Sequence, residues 1–214
     1  MEYKTLILGA GAAGLMCAAH AGPDVLIIDH ARAPGEKIRI SGGGRCNFTN
    51  LYAAPENFLS ENEHFAKSAL ARYTQWDFID LVTRHGIAWH EKTLGQLFCN
   101  QSARQIVAML MNECPTEQVT ISLGHSIADI SHIDGQYHVS VGGEVASAPS
   151  LVIATGGPSI PKMGATGFAY DLARKFGLKI VEPRPALVPL TLSGEERLFT
   201  ELSGVSTQII AKCG

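Results

Sequence analysis

No run of uncharged apolar residues in this 214-residue chain approaches the roughly 20 needed to cross a bilayer, so no membrane partner is expected. A basic surplus is missing as well. Seventeen Lys and Arg against 20 Asp and Glu leave −3, so no overall positive field draws in nucleic acid, and a polyanion partner would need a local patch. The five cysteines (Cys17, Cys46, Cys99, Cys114 and Cys213) are odd in number and scattered, with no Cys-x-x-Cys pair. That pattern fits neither a disulfide framework nor a zinc knuckle and points to a reducing cytoplasm. His90-Glu91 begins like a metal-binding helix motif, but Leu94 stands where the second histidine belongs, and the other histidines lack ligand spacing, so no metal is expected. Asp80, Glu91 and Asp171 are isolated carboxylates, and the catalytic residues stay unassigned. Repeats and low-complexity tracts are also lacking. The uncharged stretch from Thr5 to Ala19 is not read as a signal peptide, because Glu2 spoils the positive n-region and cleavage would discard the pattern that follows.

What the chain does have is 46% hydrophobic residues, ample for a packed core, and two glycine signatures. The first, Gly9-Ala10-Gly11-Ala12-Ala13-Gly14, follows the apolar run Thr5 to Leu8 and opens into Leu15 to Ala19, the strand-turn-helix context of a dinucleotide fingerprint. Gly9 is expected to make the tight turn, Gly11 to let backbone approach a pyrophosphate, and Gly14 to let helix pack on strand, with phosphate charge at the helix N-terminus. Asp29 ends a second apolar run, Val25 to Ile28, 18 residues beyond Gly11. A carboxylate there suits a free ribose 2′-hydroxyl and repels a 2′-phosphate, favouring FAD or NAD over NADP. The second signature, Ala154-Thr155-Gly156-Gly157, ends the run Leu151 to Ile153, and together the two suggest an FAD site.

Between them, residues 30–60 read as a long connection containing Gly and Pro. Residues 62–85 read as one helix with the stripe Phe65, Ala69, Leu70, Tyr73, Trp76, Ile79, Leu81 and Val82, and a second helix is expected from Ala103 to Glu113 ahead of Pro115. From Val119 to Ala148 short alternating runs separated by Asp134-Gly135 and Gly142-Gly143 predict an antiparallel meander. Leu151 to Ala154 lacks alternation and predicts a strand buried on both faces of a parallel sheet. The fold class expected is α/β: a Rossmann-like domain of parallel sheet and helices, with an added β-meander.

Residues 35–50, Gly-Glu-Lys-Ile-Arg-Ile-Ser-Gly-Gly-Gly-Arg-Cys-Asn-Phe-Thr-Asn, are not an economical connection, since three successive glycines cost conformational entropy unless the backbone must pass close to something. The string Ser41-Gly42-Gly43-Gly44-Arg45-Cys46-Asn47, with Lys37, Thr49-Asn50, both glycine signatures, Pro161, Gly164, Thr166-Gly167 and Pro185 to Leu190, resembles the HI0933-like family of bacterial FAD-dependent oxidoreductases. These are also described as BaiN-like or aminoacetone-oxidase-like, and the chain looks closest to the YhiN-type members.

The resemblance implies a two-dinucleotide-binding-domain flavoprotein, with FAD extended along Gly9 to Gly14 and the Ser41 to Asn47 loop beside the pyrophosphate and flavin. Arg45 and Lys37 are the candidate cations for the pyrophosphate or reduced flavin, and Ile127 is the candidate for a backbone contact with adenine. Cys46, beside Arg45, is weighed as a redox or nucleophilic thiol and is assigned to packing. Family members are about twice as long, so residues 1–190 are expected to be the FAD-binding domain, with a helical segment 60–114 and a meander 119–148. Residues 191–214, with an apolar run from Val205 to Ala211, are expected to begin an inserted domain that is cut short, leaving FAD weakly held. The activity implied is hydride transfer through flavin between an unidentified small molecule and a donor such as NAD(P)H. Flavin-dependent reduction of uridine in ribosomal RNA is the alternative substrate class, and a non-catalytic flavin- or NAD-binding module is a second alternative. Oligomeric state is not indicated.

Overall fold

The computed structural model describes residues 1–159 and 166–184 together with Val205 and Ile210. The matches at Pro161, Gly164 and Pro185 to Leu190, the boundary at 190 and most of the run 205–211 lie outside the described residues. Contacts divide the chain into Met1–Leu178, the unit described below, and Lys179–Gly214.

The centre is a parallel sheet of four strands, β1 (Thr5–Leu8), β2 (Val25–Asp29), β6 (Val119–Leu123) and β10 (Ser150–Ile153), in the spatial order β10-β1-β2-β6. Strand polarity explains the two layers that cover it. Alternate residues Leu6, Leu8, Leu26 and Ile28 point to one face and Ile7, Val25 and Ile27 to the other, each at most 3% exposed. Strands buried on both faces read as unbroken apolar runs, and each such side chain contributes roughly 1.5–3 kcal/mol. The first face packs on an antiparallel meander of β7 (Ile127–Ile133), β8 (Gln136–Val141) and β9 (Glu144–Ala148), through Ile130, Val139 and Ala146, and on Leu172 of α6 (Phe168–Lys175). The second packs on α1 (Ala12–His20) and α5 (Arg104–Glu113) through Leu15, Ala18, Ile106 and Leu110.

Four expectations change. Val119 to Leu123 is no part of the meander: it pairs parallel to β2, Val25 opposite Val119. As the edge of the described sheet it alternates apolar and polar residues like an antiparallel strand, with Val119, Ile121 and Leu123 on the core. The strand over Leu151 to Ile153 is half-buried on the opposite edge, rather than buried on both faces. Residues 62–85 hold two helices, α3 (Lys67–Arg72) and α4 (Gln75–Arg84). Tyr73 and Thr74 between them are extended, and Thr74 opens α4 with a reciprocal cap: Asp77 N–H donates to Thr74 Oγ1 at 3.3 Å and Thr74 N–H to Asp77 Oδ2 at 2.7 Å. Ile79, Leu81 and Val82 are core, whereas Phe65 and Trp76 are 80% and 55% exposed. Finally, the span 60–114 also holds strands. β4 (Trp89–Glu91) and β5 (Gln96–Cys99) pair antiparallel, and β5 pairs with β3 (Asn47–Asn50) out of the presumed connection, which itself contains α2 (Glu36–Gly44).

Candidate dinucleotide site

In an open α/β sheet ligands bind outside the carboxyl ends of the strands where the order reverses, here between β1 and β10. Both glycine signatures lie there. Gly9 N–H donates to Ile28 O at 2.7 Å, and Ala154 N–H donates to Leu8 O at 2.8 Å, continuing the pairing into the two loops. Gly9 has φ +109°, and a Cβ on it would strike the Ala154 carbonyl, whose carbon lies 2.7 Å away. One loop therefore rests against the other. A Cβ on Gly14 would overlap Gly9 O, so helix and strand approach as only glycine permits, while a Cβ on Gly11 would meet nothing within 4 Å. The tight turn expected of Gly9 and the close packing expected of Gly14 are present, and the space beside Gly11 is open. Gly11 caps α1 without a side-chain hydrogen bond, and no acid stands in the first turn, so these amides face a place an anion can take.

Asp29 ends β2 beside the glycine loop. Its Oδ2 accepts from Ala10 N–H at 2.6 Å and its Oδ1 from Ala31 N–H at 2.9 Å, so the carboxylate first of all holds the glycine loop to the end of β2. Lys37, on α2, reaches across the site: its Nζ donates to Gly157 O at 3.2 Å and to Ser159 Oγ at 3.4 Å.

Three cavities follow these residues. Gly9, Asp29, Ile127 and Thr155 line one of about 380 Å³. Gly9, Gly11, Ala12, Ala13, Asp29, Lys37, Ala154, Thr155 and Gly156 line the next, of about 440 Å³. Ala12, Ala13, Lys37, Ser41, Cys46 and Asn47 line the third, of about 850 Å³, with Met16, Phe48 and Phe78 making it largely apolar. Each shares residues with the next, so they form one trough from Ile127 past the α1 N-terminus to Asn47. Gly42, Gly43, Gly44 and Arg45 do not line it. The three glycines have φ of 56° to 83° and turn the chain so that Gly42 lies against the ring of Phe98, where a Cβ would sit 2.6 Å from Cε1. Ala10 is buried and contributes its amide to Asp29 rather than to the trough. His30, His125, Ser126 and Phe168 also line the Ile127 end; no sequence pattern singled them out, because they converge from separate elements.

Cys46 is 5% exposed and its N–H donates to Ser41 O at 3.0 Å. Burial pushes its thiol up, against a smaller opposing effect of a hydrogen bond with Ser41. The exposed Arg45 does not make it a thiolate. Cys99 is pushed up to about 11, by burial first and by the charge of Cys46 second. Above the ordinary thiol value of 9.0 the unfolded chain releases a proton that native Cys99 keeps. Stability therefore falls as pH climbs from 9 towards 11. Melting temperatures taken below and above pH 9 should drop across that step, and a Cys99→Ala variant should drop less.

Strand order and glycine geometry define a Rossmann-type α/β protein. The chain belongs to the HI0933-like family: the model described as HI0933-like protein Rossmann domain matches residues 3–213. It is 53% identical over 194 residues to a ribosomal RNA dihydrouridine synthase of Escherichia coli (strain K12), covering 89% of this chain and 48% of that protein. It is 26% identical over 208 residues to a 3-dehydro-bile acid delta(4,6)-reductase of Clostridium scindens, covering 94% of this chain and 50% of that one. The chain spans about half the length of the curated relatives it matches. Among solved structures, the open conformation of a flavocytochrome c3 fumarate reductase shares the fold at TM-score 0.53 and 20% identity, over 81% of this chain and 40% of that one. Among the described residues no helix is long and apolar enough to cross a membrane.

Proposed function

We propose that the chain is the FAD-binding part of a reductase acting on uridine in ribosomal RNA. The observation that carries the FAD reading is the continuous trough, whose open glycine, uncapped helix start and lysine suit a dinucleotide diphosphate. The α1 amides and Lys37 would hold the pyrophosphate, and Asp29 and Ile127 the adenosine end. Ser41, Cys46 and Asn47 would line the flavin end. Asp29, already accepting from two backbone amides, disfavours a 2′-phosphate beside it.

Uridine is supported by the 53% relative's name over the generic small molecule. The chemistry agrees with both relatives' names. The uracil C5=C6 bond is conjugated to a carbonyl, as is a double bond next to a 3-oxo group. Reduced flavin, when bound, supplies a hydride to the far carbon of such a system. This chain's contribution is to hold that group, to exclude water along an apolar wall, and to keep the Cys46 thiol neutral. Such a reading also places the protein in the cytoplasm with its RNA, and makes NAD(P)H the candidate reductant.

The test incubates flavin-loaded protein with purified ribosomal RNA and NAD(P)H or dithionite, then digests the RNA and weighs its nucleosides. Uridine heavier by two hydrogens is the expected product. Flavin that is reduced and reoxidised by a small conjugated ketone with no gain in the RNA would return the generic oxidoreductase; no retained flavin would leave a non-catalytic module.

A further inference from the structure

The β3-β5-β4 sheet has one face in the core and one outside. Leu97 and Cys99 are fully buried, and Trp89 and Phe48 pack on the same side, ring centroids 6.5 Å apart. Alternation sends Phe98 to the outer face, where register sets Asn47 opposite it on β3 and His90 opposite it on β4. Phe98 is 8% exposed because it lies under three groups: Gly42 of the glycine loop, the His90 ring at 6.2 Å and 23°, and Lys92 with Nζ 5.4 Å from the ring centroid. Asn47, His90 and Lys92 thus form a row leading outward from the loop that ends the trough.

The row has a lysine and no carboxylate. Glu91 falls on the opposite side and its Oε1 accepts from Gly95 N–H at 3.0 Å. Among the described residues Lys92 is in no ion pair. His90 Nδ1 lies 2.7 Å from Asn100 Oδ1; an amide oxygen accepts, so Nδ1 carries the hydrogen and Nε2 is left for another partner. Tyr52, 70% exposed with its ring against Gly95, supplies an aromatic surface at the end of the same sheet.

A sheet face with an unpaired lysine, amides, an imidazole and an exposed aromatic offers what single-stranded RNA requires: charge for phosphates, hydrogen-bonding groups for base edges and a ring to stack on. We propose that this outer face, from Asn47 to Lys92, binds a single-stranded segment of the substrate RNA and leads it to the Ser41 to Asn47 loop. The net charge of −3 is compatible with this, because the patch is local. The inference rests on the uridine reading above and adds the surface that reading lacks.

The probe is fluorescein-labelled oligouridylate, and its anisotropy is followed as flavin-loaded full-length protein is added at several salt concentrations. Lys92→Ala is expected to weaken binding about tenfold and to reduce the salt slope by about 0.7, one single-strand phosphate contact. Tyr52→Ala should weaken it by a similar factor with the slope unchanged. Both variants should keep the flavin absorbance of the parent, which shows that they fold. Parent-like affinity and slope in both, while the parent binds RNA, would overturn the surface and leave the uridine reading standing. Absence of binding by the parent itself would overturn both.

Discussion

Gly14→Ala is expected to unfold the domain at temperatures the parent survives, whereas Gly11→Asp should leave it folded and without flavin. The added methyl at position 14 has no room: it falls on Gly9 O and 3.0 Å from the carbonyl carbon, both backbone atoms of a turn that is itself pressed against Ala154. Overpacking of this kind costs about 1–3 kcal/mol, and a rigid backbone neighbour puts it at the upper end. In a domain of this size that lowers the melting temperature by about 5–10 °C. At Gly11 the added side chain points into open space. A carboxylate there would cap α1 and favour the helix, yet occupy the amides and repel a diphosphate. Thermal melts without cofactor, alongside flavin titration by absorbance, separate the two. A parent-like melt for Gly14→Ala, or flavin retained by Gly11→Asp, would show that the trough does not work as described.

Asp29→Ala carries the second large effect. Ala10 is fully buried, and its amide depends on Asp29 Oδ2 at 2.6 Å; the Ala31 amide depends on Oδ1. Removing the carboxylate leaves both donors unmatched, at about 1–3 kcal/mol each. The loss should therefore reach roughly 3 kcal/mol or more in a denaturant titration made without cofactor. Asp29→Asn keeps one acceptor and turns an NH2 towards the other amide, so it should lose part of that. Were Asp29 only a ribose ligand, Asp29→Ala would unfold like the parent and differ solely in flavin affinity.

That contrast marks where a reading of residues stops. Spacing placed Asp29 at the end of β2 in the right relation to Gly11, because strand and helix lengths are local. It did not reveal which group the carboxylate holds, since Ala10 is 19 residues away in the chain. The Thr74-x-x-Asp77 cap was there to be read, but apolar periodicity carried the predicted helix across it. Nothing in the sequence joined His90, Phe98 and Lys92, because they form a row only when two strands pair.

From the sequence alone came the α/β class, the glycine turn at Gly9 and the close helix packing at Gly14, the second helix, the three meander strands after residue 127 and the family. All of these follow from local conformational limits or from apolar periodicity within one element. Only the tertiary structure decided that Val119 to Leu123 joins the parallel sheet, since an edge strand can alternate apolar and polar residues whichever way its neighbour runs. It alone decided that Gly9 closes on Ala154 and that Lys37 reaches Gly157. Long-range contacts are selected by how two surfaces pack, and no single stretch of chain contains both of them.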